Sequence, residues 1–462
     1  MNPTPFSSLD LHTDLLDNLS TLGYAAMTPI QARSLPPILA RKDVIAQGKT
    51  GSGKTAAFAL GLLQKLDVKR FRIQSLVLCP TRELADQVAQ EIRRLGRGIH
   101  NIKVLTLCGG MPFGPQAGSL EHGAHIIVGT PGRIEDHLGR GTLRLDAVHT
   151  LILDEADRML DMGFQEALER IVDQTPGQRQ TLLFSATFPE RIQAIARRIM
   201  TEPVMIQVAS SHDNASIEQH FYKVADNQQR LTALRLLLSH FRPESTLVFC
   251  NTKKETQEVA DRLVAAGFSA LALHGDLEQR DRDETLVRFA NRSAAILVAT
   301  DVAARGLDID ALDAVINYHI AHDAEIHLHR IGRTGRAGST GVACSLYDDK
   351  ESHRVALLEA GIDPILDSEP LPPVALLDRP AMQPAMATLQ IDGGKKQKLR
   401  PGDILGALTG EQGIAGKQVG KINVADNRTY VAVSREALKP ALKKLAEGKL
   451  KGRSFRVRLM GG

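Results

Sequence analysis

The feature that most constrains the fold is a glycine-rich segment at residues 48–55, which reads Gly-Lys-Thr-Gly-Ser-Gly-Lys-Thr. It fills every fixed position of the phosphate-binding pattern G-x-x-x-x-G-K-[ST], with Gly48, Gly53, Lys54 and Thr55 in those positions. Such a loop leads into a helix, because its backbone N–H groups and the positive end of the helix bind phosphate together. The segment therefore predicts a nucleoside triphosphate site on an α/β sheet.

An acidic segment, Asp-Glu-Ala-Asp at residues 154–157, lies about a hundred residues further on, directly after the strand-like run at residues 150–153. Carboxylates at the end of a strand can hold Mg²⁺ and orient a water molecule for phosphoryl transfer. Lys54 can reach the β- and γ-phosphates, and Thr55 can ligate the same ion. An ordinary glycine-rich turn would not explain the acidic strand end. The two segments predict a nucleotide with Mg²⁺, but not the reaction that the nucleotide drives.

Length and composition are those of a soluble protein with several cores. The chain has 462 residues, 43% of them hydrophobic, and at roughly 150 residues per domain it should hold about three domains. It contains no apolar run near the roughly 18 residues of a membrane span, and no secretory signal at its start. Its four cysteines lack C-x-x-C spacing, which predicts neither zinc nor disulfides. We expect a cytoplasmic protein that does not bind membranes.

Short apolar runs alternate with helical stretches through most of the chain, which predicts doubly wound parallel sheets. The runs lie at residues 75–79, 126–128, 151–153, 181–184, 247–250, 295–298 and 314–317. Polar residues at 210–216 interrupt this alternation and predict a linker between two α/β domains. Six prolines between residues 364 and 384 predict a second, semi-rigid linker.

The C-terminal segment has a different pattern and a different charge. It reads as strand 387–392, helix 401–409, strands 419–424 and 428–433, helix 435–446 and strand 454–459, a βαββαβ order that suits a ferredoxin-like sandwich. Residues 385–462 hold 16 Lys and Arg against 6 Asp and Glu, a net charge of +10, which leaves −6 for residues 1–384. This asymmetry predicts a polyanionic partner, with a merely solvated basic surface as the alternative.

Further motifs follow in a fixed order, and together they resemble those of the DEAD-box RNA helicases. They include Thr-Pro-Ile-Gln at 28–31, Pro-Thr-Arg-Glu-Leu at 80–84, Gly-Gly at 109–110, Thr-Pro-Gly-Arg at 130–133, Ser-Ala-Thr at 185–187, Val-Phe-Cys-Asn-Thr at 248–252, Gln-Arg-Asp-Arg at 279–282, the segment 300–308, and His-Arg-Ile-Gly-Arg-Thr-Gly-Arg at 329–336. The resemblance covers about residues 6–350. It implies an α/β protein with two RecA-like doubly wound parallel-sheet domains at 1–209 and 217–362, a linker at 363–384, and a small βαββαβ module like an RNA-recognition motif at 385–462.

The resemblance also implies the residues of an ATP site. The predicted nucleotide-binding residues are Phe6, Gln31, Gly48, Thr50, Gly51, Gly53, Lys54, Thr55 and Asp308, with Phe6 stacked on adenine, Gln31 on its edge and Asp308 on the ribose. Thr55 and Asp154 are predicted to hold Mg²⁺. The predicted catalytic residues are Lys54, Asp154, Glu155, Arg333 and Arg336. Asp157 is expected to connect this site to Ser185, Thr187 and His329.

Arg333 and Arg336 belong to the second α/β domain. A guanidinium that neutralises charge developing on the γ-phosphate can contribute about 10³–10⁵ in rate. These residues could reach the phosphates only when the two domains close, so the resemblance implies that hydrolysis depends on closure. The alternative is that both arginines belong to a basic surface that faces RNA.

The resemblance implies RNA contacts along both α/β domains. The predicted residues are Thr81, Arg82, Gly110, Thr130 and Arg133 in the first domain, and Asn251, Thr252, Gln279, Arg282, Thr300, Arg305 and Gly306 in the second. Hydroxyls, amides and glycine N–H groups suit phosphates and 2′-hydroxyls. They do not read base edges, so these domains should bind RNA without sequence preference and separate strands locally.

The C-terminal module should then supply specificity. Residues 391–395 and 400–408 resemble a bacterial subfamily that recognises a hairpin of 23S ribosomal RNA, which implies a role on particles that precede the 50S subunit. The predicted contacts are Lys395, Lys396, Lys398, Arg400 and Tyr430. Tyr430 is the only aromatic residue on the two central strands, where such modules normally stack bases, so a protein-interaction domain is the alternative. We expect a monomer, and the motifs suit either a helicase or an ATP-dependent RNA clamp.

Overall fold

The computed structural model describes residues 4–48, 51–208, 217–304, 312–335, 340–359, 368–411 and 413–461. These residues form two compact units, one on each side of residues 209–216. The linker predicted at 210–216 lies outside the described residues. Within the described part, no helix is long and apolar enough to cross a membrane.

A parallel seven-stranded sheet forms the centre of the first unit. Its strands are β1 (Val44–Gln47), β2 (Ser75–Leu78), β3 (Val104–Leu107), β4 (Ile126–Gly129), β5 (Thr150–Asp154), β6 (Gln180–Ser185) and β7 (Val204–Gln207). They lie in the order β3-β4-β2-β5-β6-β1-β7, and each neighbouring pair is parallel. All carboxyl ends therefore lie at one edge, where open α/β sheets bind their ligands.

Helices cover both faces of this sheet. They are α1 (Thr13–Thr21), α2 (Pro29–Leu39), α3 (Lys54–Gln64), α4 (Arg82–Leu95), α5 (Phe113–Glu121), α6 (Pro131–Gly139), α7 (Ala156–Asp161), α8 (Gln165–Asp173) and α9 (Glu190–Ile199). One hydrophobic core lies under α2, α3 and α4, and a second lies under α6 to α9. Strands buried on both faces need apolar residues at every position, which explains the continuous apolar runs in the sequence.

The second unit contains a parallel six-stranded sheet. Its strands are β8 (Ile217–Lys223), β9 (Thr246–Cys250), β10 (Ala270–Leu273), β11 (Ile296–Thr300), β12 (Ala314–Asn317) and β13 (Gly341–Tyr347). Their order is β10-β11-β9-β12-β13-β8. The helices are α10 (Asn227–Phe241), α11 (Lys253–Ala265), α12 (Gln279–Ala290), α13 (Asp301–Ala304), α14 (Ala324–Ile331) and α15 (Ser352–Glu359). The prediction of two doubly wound parallel sheets is confirmed.

An antiparallel four-stranded sheet completes this unit. Its elements are β14 (Met386–Ile391), α16 (Pro401–Thr409), β15 (Val419–Val424), β16 (Thr429–Ser434), α17 (Leu438–Glu447) and β17 (Val457–Leu459), with strand order β15-β16-β14-β17. The βαββαβ prediction is confirmed. The second helix begins at Leu438 rather than at residue 435, because a 3₁₀ turn at Arg435–Ala437 precedes it.

The described part of the proline-rich segment packs against the second α/β domain. Glu369 donates its backbone N–H to the Phe221 carbonyl at 2.8 Å, and its carboxylate lies 2.8 Å from His220 Nδ1. Leu371 packs on the core of this domain, and Gln383 donates to the Gly267 carbonyl at 2.9 Å. The segment is thus fixed along the domain surface, more firmly than a semi-rigid linker requires.

Candidate nucleotide site and RNA interface

The phosphate-binding loop follows β1, and α3 begins at Lys54. Gly53 precedes this helix with a φ of 94°, in the left-handed region that favours glycine. A Cβ on Gly53 would approach Gln31 Nε2 within 2.5 Å, so a larger residue would displace that side chain. Thr50, which the sequence predicts in this loop, lies outside the described residues.

Lys54 is 7% exposed, and its ammonium donates to the Gly48 carbonyl of the same loop. Burial lowers the pKa of Lys54, while the carboxylates of Asp154 and Glu155 act in the opposite direction. The ammonium is satisfied here by a neutral carbonyl. A phosphate would give it an anionic partner in the same low-dielectric surroundings, where charge-assisted hydrogen bonds are strong.

Asp154 ends β5 and is almost fully buried, with Oδ1 accepting from the Glu155 N–H at 3.1 Å. Burial and the neighbouring Glu155 raise the pKa of Asp154 to about 7. Glu155 itself has a φ of 52°, a left-handed conformation that is strained for a residue with a side chain. Such strain at a strand end is typical of residues held in place for chemistry.

Arg158 fixes the predicted catalytic carboxylate. Its Nη1 donates to Glu155 Oε2 at 2.7 Å, and both side chains are less than one-tenth exposed. Arg158 is not among the residues predicted from the sequence, although it directly follows the acidic motif and lies three residues after Glu155 on the same helix face. This spacing was the available signal.

Asp157 connects the acidic segment to the end of β6. Its Oδ2 accepts from the N–H of Ala186 at 3.1 Å and from the N–H and hydroxyl of Thr187 at 3.0 and 3.1 Å. Its own N–H donates to Ser185 Oγ at 3.2 Å. Burial raises the pKa of Asp157, but these hydrogen bonds and Arg158 outweigh it and hold the pKa below its ordinary value. The structure therefore brings Ser185 and Thr187 together at Asp157, Ser185 through the backbone N–H and Thr187 through the carboxylate.

Gln31 lies within the first turn of α2. Its Oε1 accepts from the Thr28 N–H at 2.9 Å, and its Nε2 donates to the Gly53 carbonyl at 3.1 Å. Its amide thus joins the helix cap to the phosphate-binding loop. Phe6 is 3% exposed and packs edge-on against Tyr24, with ring centroids 6.0 Å apart. In this arrangement Phe6 belongs to the core, and its predicted stacking on adenine would require the ring to leave Tyr24.

The donor set is suited to Mg²⁺ rather than to a softer metal. Thr55 and Asp154 offer a hydroxyl and a carboxylate, the hard oxygen ligands that Mg²⁺ prefers, and the ion usually takes its other ligands from water and phosphates. Across the described ranges, no group of three or more His, Cys, Asp or Glu side chains is arranged to hold a metal. An ion held by one carboxylate, one hydroxyl and the substrate does not need such a cluster.

The RNA-facing residues predicted in the first unit gather around the loop at residues 109–111. Arg82 Nη1 lies 3.4 Å from the Gly109 carbonyl, and Arg133 Nη1 donates to the Met111 carbonyl at 2.9 Å. Gly110 between them has a φ of 73° and is exposed. Thr81 and Thr130 are the N-cap residues of α4 and α6, the helices that carry these arginines. The structure thus places all five residues at the carboxyl edge of the sheet.

In the second unit, the predicted RNA-facing residues lie at helix starts on the equivalent edge. Thr252 caps α11 by accepting from the Glu255 N–H at 3.2 Å, directly after Asn251. Arg282 of α12 donates to the Ala303 carbonyl at 3.0 Å, which ties Gln279 and its helix to the segment that begins at Thr300. Arg305, Gly306, Asp308 and Arg336 lie outside the described residues.

A buried arginine connects two of the motifs in this unit. Arg330 is 1% exposed, and its Nε and Nη2 each donate to an oxygen of Asp301 at 2.7 Å. Its Nη1 donates to Asn317 Oδ1 and to the His319 carbonyl. Arg330 therefore anchors α14, which carries His329 and leads to the buried Arg333, to the strand end at Thr300. Arg330 is not among the residues predicted from the sequence, although it lies inside the motif at residues 329–336.

A second charged network lies beneath Asn251. His319 Nε2 lies 2.6 Å from Glu255 Oε1, and its Nδ1 lies 3.1 Å from Glu351 Oε1. Only the imidazolium can donate from both nitrogens. Burial lowers the pKa of His319, but these two hydrogen bonds outweigh it, so the pKa lies above its ordinary value. Arg230, fully buried, donates to the other oxygen of Glu351 at 2.7 Å.

The outer face of the C-terminal sheet, which we call the docking face, is covered by the second α/β domain. Thr388 Oγ1 accepts from Asn291 Nδ2 at 3.2 Å and shares a 2.7 Å hydrogen bond with Ser293 Oγ. Arg428 donates to Glu284 of α12 at 3.2 Å. Tyr430 on this face is only 7% exposed, and its burial raises the pKa of its hydroxyl. The contact of Tyr430 with RNA stays a prediction, and base stacking on this ring would require the covered face to open.

Exposed lysines and arginines lie instead on two turns of the same module, which we call the basic ridge. One turn carries Lys395, Lys396, Lys398 and Arg400, and the other carries Lys449, Lys451 and Arg453. Lys451 donates to the Lys398 carbonyl at 2.7 Å and pairs with Asp403 at 3.2 Å, which joins the two turns. Positive φ angles at Lys451 and Gly452 define the tight turn between the bridge partners Leu450 and Arg453. The second turn was missed by sequence analysis.

Comparisons with known proteins identify the class. Residues 28–195 match the DEAD/DEAH box helicase family, residues 229–338 match the helicase conserved C-terminal domain, and residues 388–459 match the DbpA RNA binding domain. The chain belongs to the DEAD/DEAH box helicases, and within them it is an ATP-dependent RNA helicase of the DbpA kind with its own RNA-binding domain.

The relatives agree with this assignment. The ATP-dependent RNA helicase DbpA of Escherichia coli (strain K12) is 55% identical over 458 residues, 99% of this chain and 100% of that protein. The DEAD-box ATP-dependent RNA helicase CshA of Geobacillus kaustophilus is 45% identical over 75% of this chain and 74% of its own length. Among solved structures, S. cerevisiae Dbp5 bound to RNA and ADP BeF3 has a TM-score of 0.69 at 29% identity, covering 77% of this chain and 93% of that one. The family predicted from the motifs is confirmed.

Proposed function

We propose that this helicase remodels 23S ribosomal RNA during assembly of the large (50S) ribosomal subunit, and that its C-terminal domain targets it to an rRNA hairpin. The basic ridge carries this proposal. It is exposed, it is held rigid by Lys451, and it lies on the domain that matches the DbpA RNA binding domain. Because the docking face is covered, a structured RNA would have to bind elsewhere on this domain, and the ridge gathers exposed basic residues on two adjoining turns.

The residues of the first unit have distinct roles in hydrolysis. Lys54 neutralises charge on the β- and γ-phosphates, and Gln31 and Phe6 contact the adenine after leaving their present partners. Glu155, oriented by Arg158, polarises the attacking water. Thr55 and Asp154 hold Mg²⁺, which when bound neutralises phosphate oxygens. In the second α/β domain, Arg333 and Arg336 stabilise charge in the transition state, and Asp308 contacts the ribose.

The remaining residues bind RNA or transmit its presence. Asp157, Ser185, Thr187 and His329 couple nucleotide to RNA. The RNA backbone is bound by the predicted residues of the two α/β domains, namely Thr81, Arg82, Gly110, Thr130, Arg133, Asn251, Thr252, Gln279, Arg282, Thr300, Arg305 and Gly306. The domain limits proposed are 1–209, 217–362, 363–384 and 385–462. We further propose a monomer that works in the cytoplasm, where its four buried, unpaired cysteines stay reduced.

The test removes charge from the ridge without touching the docking face. The variant K395A/K396A/K398A is compared with K439A/K443A, in which two exposed lysines of α17 are removed. ATPase stimulation is measured with a large-subunit hairpin fragment and with a homopolymer at several salt concentrations. We expect the ridge variant to lose its preference for the fragment, with a salt slope lower by about 0.7–0.9 per lost phosphate contact, and to keep its turnover at saturating RNA. An unchanged preference would contradict the proposal and favour a protein-interaction role for residues 385–462.

A further inference from the structure

The loop between α3 and β2 carries a basic and aromatic segment that neither the phosphate site nor the predicted RNA contacts use. It reads Lys69-Arg70-Phe71-Arg72, and all four residues are exposed. Phe71 is 50% exposed, and it is the only aromatic residue among the exposed large hydrophobics of the described ranges. A single exposed apolar side chain is ordinary on a protein surface. Phe71 differs from an ordinary exposed side chain in the contacts that hold its ring and in the basic residues around it.

The ring of Phe71 is held in one position. It packs edge-on against His125, with ring centroids 4.5 Å apart at 65°. It also rests on Gly123, whose φ is 72° and where a Cβ would approach Phe71 Cδ1 within 2.7 Å. His125 is itself fixed, because its Nδ1 accepts from the Lys103 N–H at 3.0 Å. The exposed side of the ring is therefore a defined surface.

A cavity of about 370 Å³ opens beside this ring, and Arg72, Thr142, Arg144 and Asp146 line it. Its volume lies within the roughly 300–1,000 Å³ that is usual for ligand sites. The segments that line it, residues 71–73, 120–124 and 141–147, lead into β2, β4 and β5, so the cavity lies at the amino edge of the parallel sheet. The phosphate loop and the predicted RNA-facing residues follow the carboxyl ends of strands, so the cavity is separate from both.

The charge around the cavity is positive. Lys69, Arg70, Arg72 and Arg144 stand against Asp67 and Asp146. The ion pairs Arg70–Asp67, at 3.2 Å, and Arg144–Asp146, at 3.5 Å, involve arginine side chains that are 80% and 82% exposed. Exposed pairs of this kind are weak, so both guanidiniums are available to another anion.

We propose that this loop and cavity form a second RNA patch that binds single-stranded RNA, with one base stacked on Phe71 and the flanking phosphates contacted by Arg70, Arg72 and Arg144. Stacking on an aromatic ring beside a basic groove is how proteins bind single strands without sequence preference. An acidic peptide would match the charge but would not need a fixed, flat ring face. The patch would hold a strand outside the catalytic edge, which goes beyond the proposed hairpin recognition.

The test uses the full chain and a fluorescent oligouridylate of about 20 nucleotides, long enough to occupy the usual single-strand sites of 4–16 nucleotides. Binding is measured without nucleotide for Phe71→Ala, Phe71→Tyr and R70A/R72A. The matched control is R191A/R197A, which removes two exposed arginines from α9 of the same unit. All variants are also made in the K395A/K396A/K398A background, so that binding by the ridge does not mask the result.

We expect Phe71→Ala and R70A/R72A each to weaken oligouridylate binding at least about 5-fold, the lower end of what one stacked base contributes. Phe71→Tyr and the control should bind as the unsubstituted chain does, and the control should keep its turnover at saturating RNA. Unchanged binding by Phe71→Ala in both backgrounds overturns the proposal. Loss in R70A/R72A alone overturns the stacking and leaves a simple basic surface. If no RNA stimulates the ATPase, the proposed function fails, while the binding measurement still reports on the patch.

Discussion

The two parallel-sheet domains share a topology but balance their buried charges differently. At the carboxyl edge of the first sheet, Lys54 is satisfied by a neutral carbonyl, and the pKa of Asp154 is raised to about 7. At the same edge of the second sheet, Asp301 holds Arg330 with two hydrogen bonds, and Glu351 holds both Arg230 and His319. The carboxyl edge of the first sheet pairs Lys54 and Asp154 with neutral backbone groups, and a nucleotide and its metal ion would supply partners of opposite charge. The second neutralises its own charges and so stiffens the segments that carry its motifs.

The largest effect should come from replacing Arg333. This residue belongs to the second α/β domain and is proposed to take part in ATP hydrolysis at the nucleotide site of the first. Arg333→Ala should lower RNA-stimulated turnover about 10³-fold or more, because a finger acts mainly in the transition state. ATP affinity should change little. Turnover and ATP affinity measured side by side provide the check, with the exposed Arg292→Ala of the same domain as the control. Full turnover in Arg333→Ala would instead assign Arg333 to the internal charge balance of its own domain.

The second largest effect should come from replacing Glu155, whose carboxylate is oriented by Arg158. Glu155→Gln should slow hydrolysis by about 10²–10⁴, the usual contribution of a general base, while ATP binding and ATP-dependent RNA binding persist. Arg158→Ala should also lower turnover, but less, since the carboxylate remains. Single-turnover hydrolysis and nucleotide titration separate the two effects. If Glu155→Gln fails to bind ATP, its role is structural rather than chemical.

The second domain should respond to a broken ion pair through stability. Arg330→Ala removes a fully buried guanidinium and leaves Asp301, whose side chain is 20% exposed, without its partner, which should cost about 1–3 kcal/mol of local stability. Arg292→Ala breaks an exposed pair with Glu244, and should cost no more than about 1 kcal/mol. Hydrogen exchange of the amides in β9, β11 and β12 reports the local free energy of opening. Equal losses in both variants would show that the buried network is not what stiffens this edge.

The last effect should depend on pH and become the smallest of the four at high pH. The raised pKa of His319 means that its ion pairs contribute fully below its unfolded pKa of about 6.5, and that their contribution is lost as the pH rises through the higher folded pKa. At pH 6, His319→Gln should therefore cost about 1.5–3 kcal/mol, the range for hydrogen bonds to charged groups. The cost should shrink by pH 9. The same exchange measurement at the two pH values is the check, and a cost that does not change with pH would mean that His319 packs as a neutral ring.

What the sequence could predict was local. The strand, loop and helix around Lys54 follow from one contiguous pattern, and the βαββαβ order follows from the alternation of residues along each strand. The contacts of Arg330 with Asp301 and of Glu351 with His319 and Arg230 join residues that are distant in the chain. The periodicity of apolar residues along the sequence does not indicate which distant residues form such pairs. Sequence analysis could therefore find the motifs but not the side chains that hold them in place.

Tyr430 and Phe6 show that the sequence also does not reveal which side chains are buried by other parts of the chain. Alternation predicts that Tyr430 lies on the outer face of its strand, but not that another domain covers this face. The motif order places Phe6 near the nucleotide, but not inside the core against Tyr24. Burial by a remote segment is a tertiary property, and each of these aromatic residues lies where a remote segment decides its exposure.

The covered docking face has a consequence for protein engineering. The C-terminal module is not an interchangeable part, because the sheet face on which ordinary RNA-recognition motifs stack bases is here part of the second domain's packing. A chimera that carried an ordinary RNA-recognition motif would press its base-stacking aromatics against α12, or would leave Asn291 and Ser293 without partners. Under the role proposed for the basic ridge, target preference would be exchanged more safely by grafting the two ridge turns than by replacing the whole module.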